Sequence, residues 1–385
     1  MPEADAIAIG GGLAGAAFAL ELARNGRSVL VFERSRSAAQ KVCGDFLSAE
    51  AIGLLRHLGV DPAKLGASRV TSLRLAAGRS AAEAALPFEA AGLSRLVLDE
   101  ALLDAAAAAG AELRRGVHVT GLAPDGRGVV VSADGKVHRA RHAALATGKH
   151  NLRGCQRPAG AVTGFKLQME LTAPARAALE GVVQLVLLPG GYVGACLVDG
   201  GRASLCWQIE TARLAETGAD WRAQLDRFAA LSPHFGDVLA GARAVDARAA
   251  AVSSLPFGYV RREAIADCVY PVGDQMAVIP AFTGDGTSLA LASGILAARA
   301  LVRGETATAF QRSFAAGLGP QFRVARVVAA IFRREIGRRF TIGALRAAPP
   351  LARMVANGTR LTGVLDPILS APRDRGADAA RLSQA

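Results

Sequence analysis

The sequence predicts an α/β fold in which a Rossmann-like domain is interrupted by an antiparallel β-sheet domain and followed by a helical C-terminus. Three observations predict it. A strand, a glycine-rich turn, a helix and a second strand ending in an acid fill the first 33 residues. Longer strands of alternating character occupy residues 160–209, the pattern of a sheet with one face on a core. A short buried strand near residue 270 then leads through a glycine-studded loop to an apolar helix, which returns the chain to the first domain.

Ala6-Ile7-Ala8-Ile9 is a short apolar strand. Gly10-Gly11-Gly12-Leu13-Ala14-Gly15 turns it into a helix that stops at Asn25-Gly26, with glycine past the last turn. Val29-Leu30-Val31-Phe32 is a second buried strand, and Glu33 stands at its end. A loop over 34–47 precedes a helix over 48–58, and strands are expected around 70–75 and 81–86. Ser94 is an N-cap for a helix that reaches Ala109 and ends at Gly110. Segments 117–122, 128–132, 137–139 and 143–146 read as short strands, with turns at Asp125-Gly126 and Asp134-Gly135. The second sheet takes strands at 164–171, 182–188, 191–198 and 203–209. Residues 268–272 form a buried strand, 286–301 a helix, and 305–365 a helical, Arg-rich stretch. The expected division is a discontinuous first domain (1–80, 94–158 and 262–303), a sheet domain (81–93 and 159–261) and a basic helical region (304–385).

Composition narrows the classes. Of 385 residues, 51% are hydrophobic and 20% charged, so the chain can bury a large core and is not a disordered one. Cys43, Cys155, Cys196, Cys206 and Cys268 form no C-x-x-C pair, which excludes a zinc ribbon or a disulfide framework and suits a reducing cytoplasm. The opening MPEADAIAIGGG is not a signal-peptide pattern. The longest apolar stretch, 287–302, contains Arg299 and falls short of the ~20 residues that span a bilayer. The six His have no ligand spacing, so neither a metal nor a histidine base is expected. Net charge is +12, and residues 303–385, with fourteen Arg and five acids, hold +9 of it. No aromatic residues interleave with these Arg, so nucleic acid is not the expected partner; phosphates, acidic lipid or an anionic substrate suit the surface better.

The opening unit reads as a dinucleotide site. Gly10 permits the tight turn, Gly12 lets backbone approach a pyrophosphate, and Gly15 lets the helix pack on the strand. The helix N-terminus offers free N–H groups and partial positive charge to the phosphates. Glu33 lies 23 residues after Gly10, where an acid accepts hydrogen bonds from a ribose.

The downstream segment Tyr270-Pro271-Val272-Gly273-Asp274-Gln275, with Pro280 and Gly284-Asp285-Gly286-Thr287, resembles the Gly-Asp motif of FAD enzymes built like para-hydroxybenzoate hydroxylase. The resemblance implies non-covalent FAD, Asp274 on the ribityl chain, and a helix N-terminus at Gly286 facing the flavin pyrimidine ring. Lys41-Val42-Cys43-Gly44-Asp45 resembles the Cys-Gly motif of the geranylgeranyl reductase branch, which places Cys43 near the flavin. Ser94-Arg95 is similar to that branch's Arg at the start of a helix beneath the cofactor. Across residues 5–300 the chain looks most similar to the FAD oxidoreductases found beside bacterial type III polyketide synthases, sharing Thr147-Gly148-Lys149 and Gly164-Phe165-Lys166. The fold implied is a glutathione reductase or para-hydroxybenzoate hydroxylase-like FAD-binding domain.

The expected cofactor-binding set is Gly10, Gly12, Leu13, Ala14, Gly15, Glu33, Arg34, Cys43, Gly44, Arg95, Val119, Gly148, Gly273, Asp274, Pro280, Gly284, Asp285, Gly286 and Thr287. Lys166, Tyr192, Trp207 and Phe282 are candidates for the substrate side. Lys166 faces either solvent or the substrate cavity, and Cys43 is either a small buried filler or a group at the flavin face. Thr147-Gly148 stands where the aromatic hydroxylases carry Asp-Gly, a departure that counts against nicotinamide-driven hydroxylation and leaves NAD(P)H open as electron donor. Trp207 and Trp221 are too far apart for the Trp-x-Trp-x-x-Pro motif of flavin halogenases.

Val324, Val327, Val328 and Ile331 make an apolar stripe, with Arg323, Arg326, Arg333, Arg334 and Arg338 grouped on another face. That helix either packs on the first domain with its Arg in water or is an amphipathic element that docks at lipid from the cytoplasmic side or covers a lipophilic substrate. The expected function is an FAD-dependent oxidoreductase for a hydrophobic polyketide, aromatic or isoprenoid molecule. Monooxygenation is the first reading, ene-reduction or dehydrogenation the alternative, and a non-catalytic flavin-binding module the competing class.

Overall fold

A computed structural model describes residues 2–216, 218, 220–347 and, beyond these, 358, 360, 365, 368 and 369. The opening unit consists of β1 (Ala4–Ile9), α1 (Leu13–Arg24) and β2 (Val29–Glu33), with β1 and β2 parallel. Next come β3 (Phe46–Leu47), α2 (Ala49–His57), β4 (Ser68–Ala77) and β5 (Ser80–Gly92). α3 (Arg95–Ala108) begins where the Ser94 hydroxyl accepts the Val97 N–H at 3.4 Å, and Gly110, at φ 104°, follows its end.

β6 (Glu112–Arg115) pairs in parallel with β2 at the sheet edge and has no counterpart in the sequence reading. Its sequence Glu-Leu-Arg-Arg carries no apolar alternation, because an edge strand needs little burial. β7 (Val119–Pro124), β8 (Val129–Ala133) and β9 (Lys136–Leu145) form a meander. β9 is one strand where two short ones were expected. Its first half pairs antiparallel with β8, while β1 and a later strand take its second half in parallel, so its pairing changes midway.

The second layer is built from β10 (Val162–Glu170), α4 (Ala173–Leu179), β11 (Gly181–Leu188), β12 (Gly191–Leu197) and β13 (Ala203–Glu210). α5 (Trp221–Leu231), α6 (Pro233–Leu239), β14 (Arg243–Ala244) and β15 (Ala250–Leu255) complete it. Strand order is β14-β10-β13-β12-β11-β4-β5-β3, with β15 also on β10. Two expectations are corrected here. β4, assigned to the first domain, lies in this sheet between β11 and β5. Its pairing with β11 is parallel, so the sheet is mixed rather than antiparallel. Both corrections turn on a partner over a hundred residues away, which no local pattern reports.

β16 (Tyr259–Val260), β17 (Val269–Pro271), β18 (Ala277–Val278) and α7 (Gly286–Val302) return the chain to the first layer. β17 joins β9 in parallel, completing a seven-stranded sheet of order β6-β2-β1-β9-β8-β7. Phe18, Leu102, Tyr270 and Ile295 belong to the core that packs α1, α3 and α7 together, each large side chain contributing about 1.5–3 kcal/mol of burial.

α8 (Ala307–Gly317), α9 (Gly319–Arg333) and α10 (Glu335–Ala347) follow, and most of 348–385 lies outside the described residues. α9 buries Gln321, Phe322 and Ala325, not the Val324–Ile331 stripe. Arg338, expected on an exposed Arg face, is buried; it donates to the carbonyls of Phe332 and Arg333 at 3.1 Å each and closes the end of α9.

One ion pair ties the β10 strand to the loop that opens the site. Lys166 on β10 is fully buried against the carboxylate of Asp45, also fully buried and just ahead of β3. Asp45 accepts the Arg95 N–H on its other oxygen at 3.3 Å, and its carbonyl accepts the Leu93 N–H at 2.9 Å. Burial pushes the Asp45 carboxyl up, against the pull of Lys166. Lys166 therefore faces neither solvent nor a cavity. Lys166→Met should cost about 3–5 kcal/mol by stranding a buried carboxyl, and Asp45→Leu with Lys166→Met should regain most of it. Urea unfolding measures both, and equal losses would show that the pairing itself contributes little.

Candidate functional site

The glycine turn joins β1 to α1. Gly10 has φ 110°, and a Cβ there would sit 2.4 Å from the Ala146 carbonyl oxygen. A Cβ on Gly15 would sit 1.9 Å from the Gly10 carbonyl oxygen, so the first helical turn folds directly onto the loop. Gly12 is different: a Cβ there would meet only the Arg95 guanidinium, at 3.4 Å, and its side is otherwise open. No side chain caps α1, so its first N–H groups point outward unsatisfied by protein side chains. Glu33 fixes the turn from the end of β2. One carboxylate oxygen accepts the Gly11 N–H at 2.8 Å and the other accepts the Ser35 N–H at 2.9 Å. Burial opposes its charge, but Lys41 at 3.7 Å and these two donors hold its carboxyl below the usual range.

These groups open onto a cleft of 520 Å³, a size suited to a cofactor. From the first unit Gly10, Gly12, Leu13, Ala14, Glu33 and Arg34 line it. Cys43 and Gly44 come from the loop before β3, Arg95 from α3, Val119 from β7 and Gly148 from the end of β9's loop. Gly273, Asp274, Gly284, Gly286 and Thr287 close the far side. Gly15 stands behind the turn, and Pro280 is also outside the lining. Arg95 is held by a two-point contact with Asp99, at 2.6 and 2.9 Å, one helical turn on. Burial works against the Arg95 charge, but Asp99 keeps its pKa well above the usual value. The Asp274 carboxylate lies 3.3 Å from the Lys149 ammonium.

Asp285 departs from its expected place. Its carboxylate turns away from the cleft to Arg360, at 2.9 Å, and its other oxygen is buried without a partner among the described residues. Burial pushes this carboxyl up to about 7, with Arg360 pulling it down and Glu50 raising it further. With its side chain turned away, it leaves α7 uncapped, and a Cβ on Gly286 would meet nothing within 4 Å. Two uncapped helix N-termini, α1 and α7, thus face one cleft.

A second cavity of 400 Å³ adjoins the first. Its walls are apolar: Leu73 and Leu75 of β4, Leu86 and Phe88 of β5, Leu185 of β11, and Val328 and Phe332 of α9. Gly44, Phe46, Tyr192, Cys206, Ala281 and Gly284 line both cavities, so the two meet there. Of the substrate-side candidates, Tyr192 stands at this junction and Phe282 lines the apolar cavity. Trp207 touches only the cleft; its indole N–H donates to Gln224 at 2.7 Å and its ring stacks on Phe165. Lys166 lines neither cavity. Burial pushes the Tyr192 hydroxyl well up and Cys206 up to about 12, so both stay neutral. The Tyr192 hydroxyl has no hydrogen bond among the described residues. Arg360 is the one charged side chain among the described residues of the apolar lining, stacked 4.2 Å from the Phe88 ring.

Asp45, Cys206 and Arg360 carry parts of this geometry and were not singled out in the sequence. Asp45 directly follows Cys43-Gly44, which is the one local signal that could have found it.

Residues 3–148 match the family described as the FAD binding domain. This chain is an FAD-dependent oxidoreductase. It is 29% identical over 334 residues to digeranylgeranylglycerophospholipid reductase 2 of Methanopyrus kandleri, covering 81% of each chain. It is 31% identical over 204 residues to protein FixC of Salmonella typhi, spanning 49% of this chain and 44% of that one. Among solved structures, halogenase PltM superposes with TM-score 0.75 at 15% identity, over 96% of this chain and 85% of its own. The myxobacterial chondrochloren halogenase CndH gives 0.74 at 17%, over 96% and 98%. At such identities the halogenases share the fold alone.

The residues present fit FAD. The open side of Gly12 and the uncapped start of α1 would take the pyrophosphate, Glu33 the ribose, and the uncapped start of α7 the polar edge of the ring. FAD supplies two-electron redox chemistry when bound. Gly12→Ala should leave a folded protein that retains FAD at least about tenfold more weakly, whereas Gly15→Ala should fail to fold, because only the second forces backbone apart. Fluorescence titration of FAD and thermal unfolding separate the two outcomes.

Asp285 gives a pH test. Its folded pKa, about 7, lies above that of an unfolded Asp, so the native state holds the proton more tightly. The stability this contributes is complete below about pH 4 and is lost as pH rises through about 7. Asp285→Asn should therefore gain stability relative to wild type between about pH 5 and about pH 8 in urea unfolding. A constant difference across that range would show that Asp285 is ionised throughout.

Proposed function

We propose that the protein reduces a carbon–carbon double bond in a lipophilic, polyketide-, aromatic- or isoprenoid-like molecule held in the apolar cavity. The observation that carries this reading is the shared lining: six residues belong at once to the FAD cleft and to an almost wholly apolar cavity. A substrate there is desolvated and held against the cofactor's side of the junction, where orientation accounts for much of the rate. Asp45, Lys166 and Arg95 hold Gly44 and Phe46 in place at that junction. The residues position and exclude water; the one charged side chain among the described residues of the apolar lining, Arg360, is matched by Asp285 and Glu50.

Saturation of a double bond needs a hydride at one carbon, which reduced FAD would supply, and a proton at the other, and Tyr192 supports this branch over monooxygenation. The residue lines the junction, and its hydroxyl is neutral and makes no hydrogen bond among the described residues. The named relatives point the same way, since both the Methanopyrus protein and a Mycobacterium tuberculosis relative, 30% identical over 160 residues, are called reductases. The latter is a menaquinone reductase. Monooxygenation and dehydrogenation are the other outcomes of one experiment. The yellow holoprotein, reduced without air and given polyprenyl or polyketide substrates, should yield a product heavier by two hydrogens. Tyr192→Phe should slow this by about 100-fold or more while binding the substrate as well as wild type. A product gaining one oxygen, formed only in air, would overturn the proposal in favour of monooxygenation. No product from any reduced preparation would favour a flavin-binding module without turnover.

A further inference from the structure

The walls of the apolar cavity do not end inside the protein. α9 and α10 contribute Val328, Ile331, Phe332, Phe340 and Ala344 to its lining. Two of these, Ile331 and Phe340, are also exposed, at 37% and 69% of their surface. Beside them Val327 is 61% exposed and Ile336 82%. On α9, Arg323, Val327 and Ile331 follow at four-residue spacing and form one ridge opposite the buried Phe322 and Ala325. On α10, Ile336 and Phe340 form a second ridge opposite the buried Arg338, Ile342 and Leu345. Large apolar side chains exposed this far and clustered on adjacent helices mark an interaction surface.

The charge around the ridges names the partner. Residues 303–347 contain nine Arg, two Glu and no Lys or Asp. Arg323, Arg326, Arg333 and Arg334 are exposed and make no ion pair among the described residues. Arg339 pairs with Glu335, and Arg338 is spent on closing α9. The surface is therefore apolar in the middle and cationic at its rim, and it sits at the edge of a cavity for an apolar molecule. No helix among the described residues is long and apolar enough to cross a membrane, so this surface would lie on a bilayer and not through it.

We propose that the α9–α10 ridges dock on an anionic lipid bilayer, with Val327, Ile331, Ile336 and Phe340 among the acyl chains and Arg323, Arg326, Arg333 and Arg334 among the headgroups. The cavity edge then opens where a lipophilic molecule already resides, and the molecule enters between Ile331 and Phe340 without crossing water. That delivery step rests on the reductase reading above, but the docking does not. Each Arg in contact contributes about fivefold to binding at low salt, and the contribution is screened as salt rises.

The test uses the FAD-loaded full chain and vesicles of phosphatidylcholine with or without phosphatidylglycerol. Wild type should co-sediment with the anionic vesicles at low salt, bind pure phosphatidylcholine at least tenfold more weakly, and leave the anionic vesicles at high salt. Val327→Glu with Ile336→Glu should lose binding at least tenfold while keeping the flavin spectrum, the unfolding midpoint and turnover of detergent-dispersed substrate. Neither residue lines a cavity. Arg323→Gln, Arg326→Gln, Arg333→Gln and Arg334→Gln together should remove the preference for phosphatidylglycerol. Indifference of wild type to anionic vesicles at low salt would overturn the proposal. So would a dimer in light scattering that the two Glu substitutions dissociate, because a second copy would then cover the ridges. Binding that persists when the reduced holoprotein yields no product would leave the docking standing and remove the reductase reading.

Discussion

The contact between Lys166 and Asp45 is the constraint on which the rest of the site depends. A buried cation and a buried carboxylate each lose most of their hydration, and the loss is offset only when they meet in good geometry with further hydrogen bonds. Asp45 has them, from Arg95 and Leu93, so the loop 43–46 is held from three sides. That loop supplies Cys43 and Gly44 to the cleft and Gly44 and Phe46 to the apolar cavity. The same pair thus anchors the first layer to the second sheet and sets the gap through which cofactor and substrate would meet. Its specificity comes from exclusion: any register of β10 that moves Lys166 out of reach leaves two uncompensated charges in the interior.

Around that anchor the two cavities divide the chemistry by polarity. The cleft is formed by backbone, by two helix N-termini without side-chain caps, and by ionic groups such as Glu33, Arg95 and Asp274 that are already held by neighbours. Preorganised donors of this kind suit an anionic ligand, because the protein need not reorganise to bind it. The apolar cavity offers almost nothing to a polar molecule. Burial keeps Tyr192 and Cys206 neutral, and Arg360 is matched by Asp285 and Glu50. A substrate chosen by such a cavity is chosen by shape and by the transfer of apolar surface from water.

Asp285 and Arg338 show how a residue's type can suggest the wrong task. An Asp in a Gly-Asp-Gly loop beside a cofactor reads as a ligand, yet its carboxylate faces Arg360, a residue distant in the chain. An Arg among Arg residues reads as surface charge, yet Arg338 turns inward and donates to two carbonyls at the end of α9. In both cases the residue type alone does not reveal which group the side chain meets in the fold.

By itself the sequence determined the opening unit, the Ser94 and Gly110 boundaries of α3, the strands of the second sheet near 162–210, and the return of the chain at β17 and α7. These features rest on short-range physics: glycine where a Cβ would strike backbone, a hydroxyl at an N-cap, and period-two burial. Most of the residues it singled out for the cofactor also line the cleft, the majority of them from glycine-rich segments. Only the tertiary structure decided that β4 belongs to the second sheet and pairs in parallel with β11, that Lys166 is buried on Asp45, and that the Val327 and Ile331 ridge faces outward. Each of those depends on a partner distant in sequence, or on the absence of one. Strand pairing and ion pairing are set by whichever arrangement leaves the fewest buried groups unmatched across the whole fold, and a single stretch of sequence carries no record of that competition.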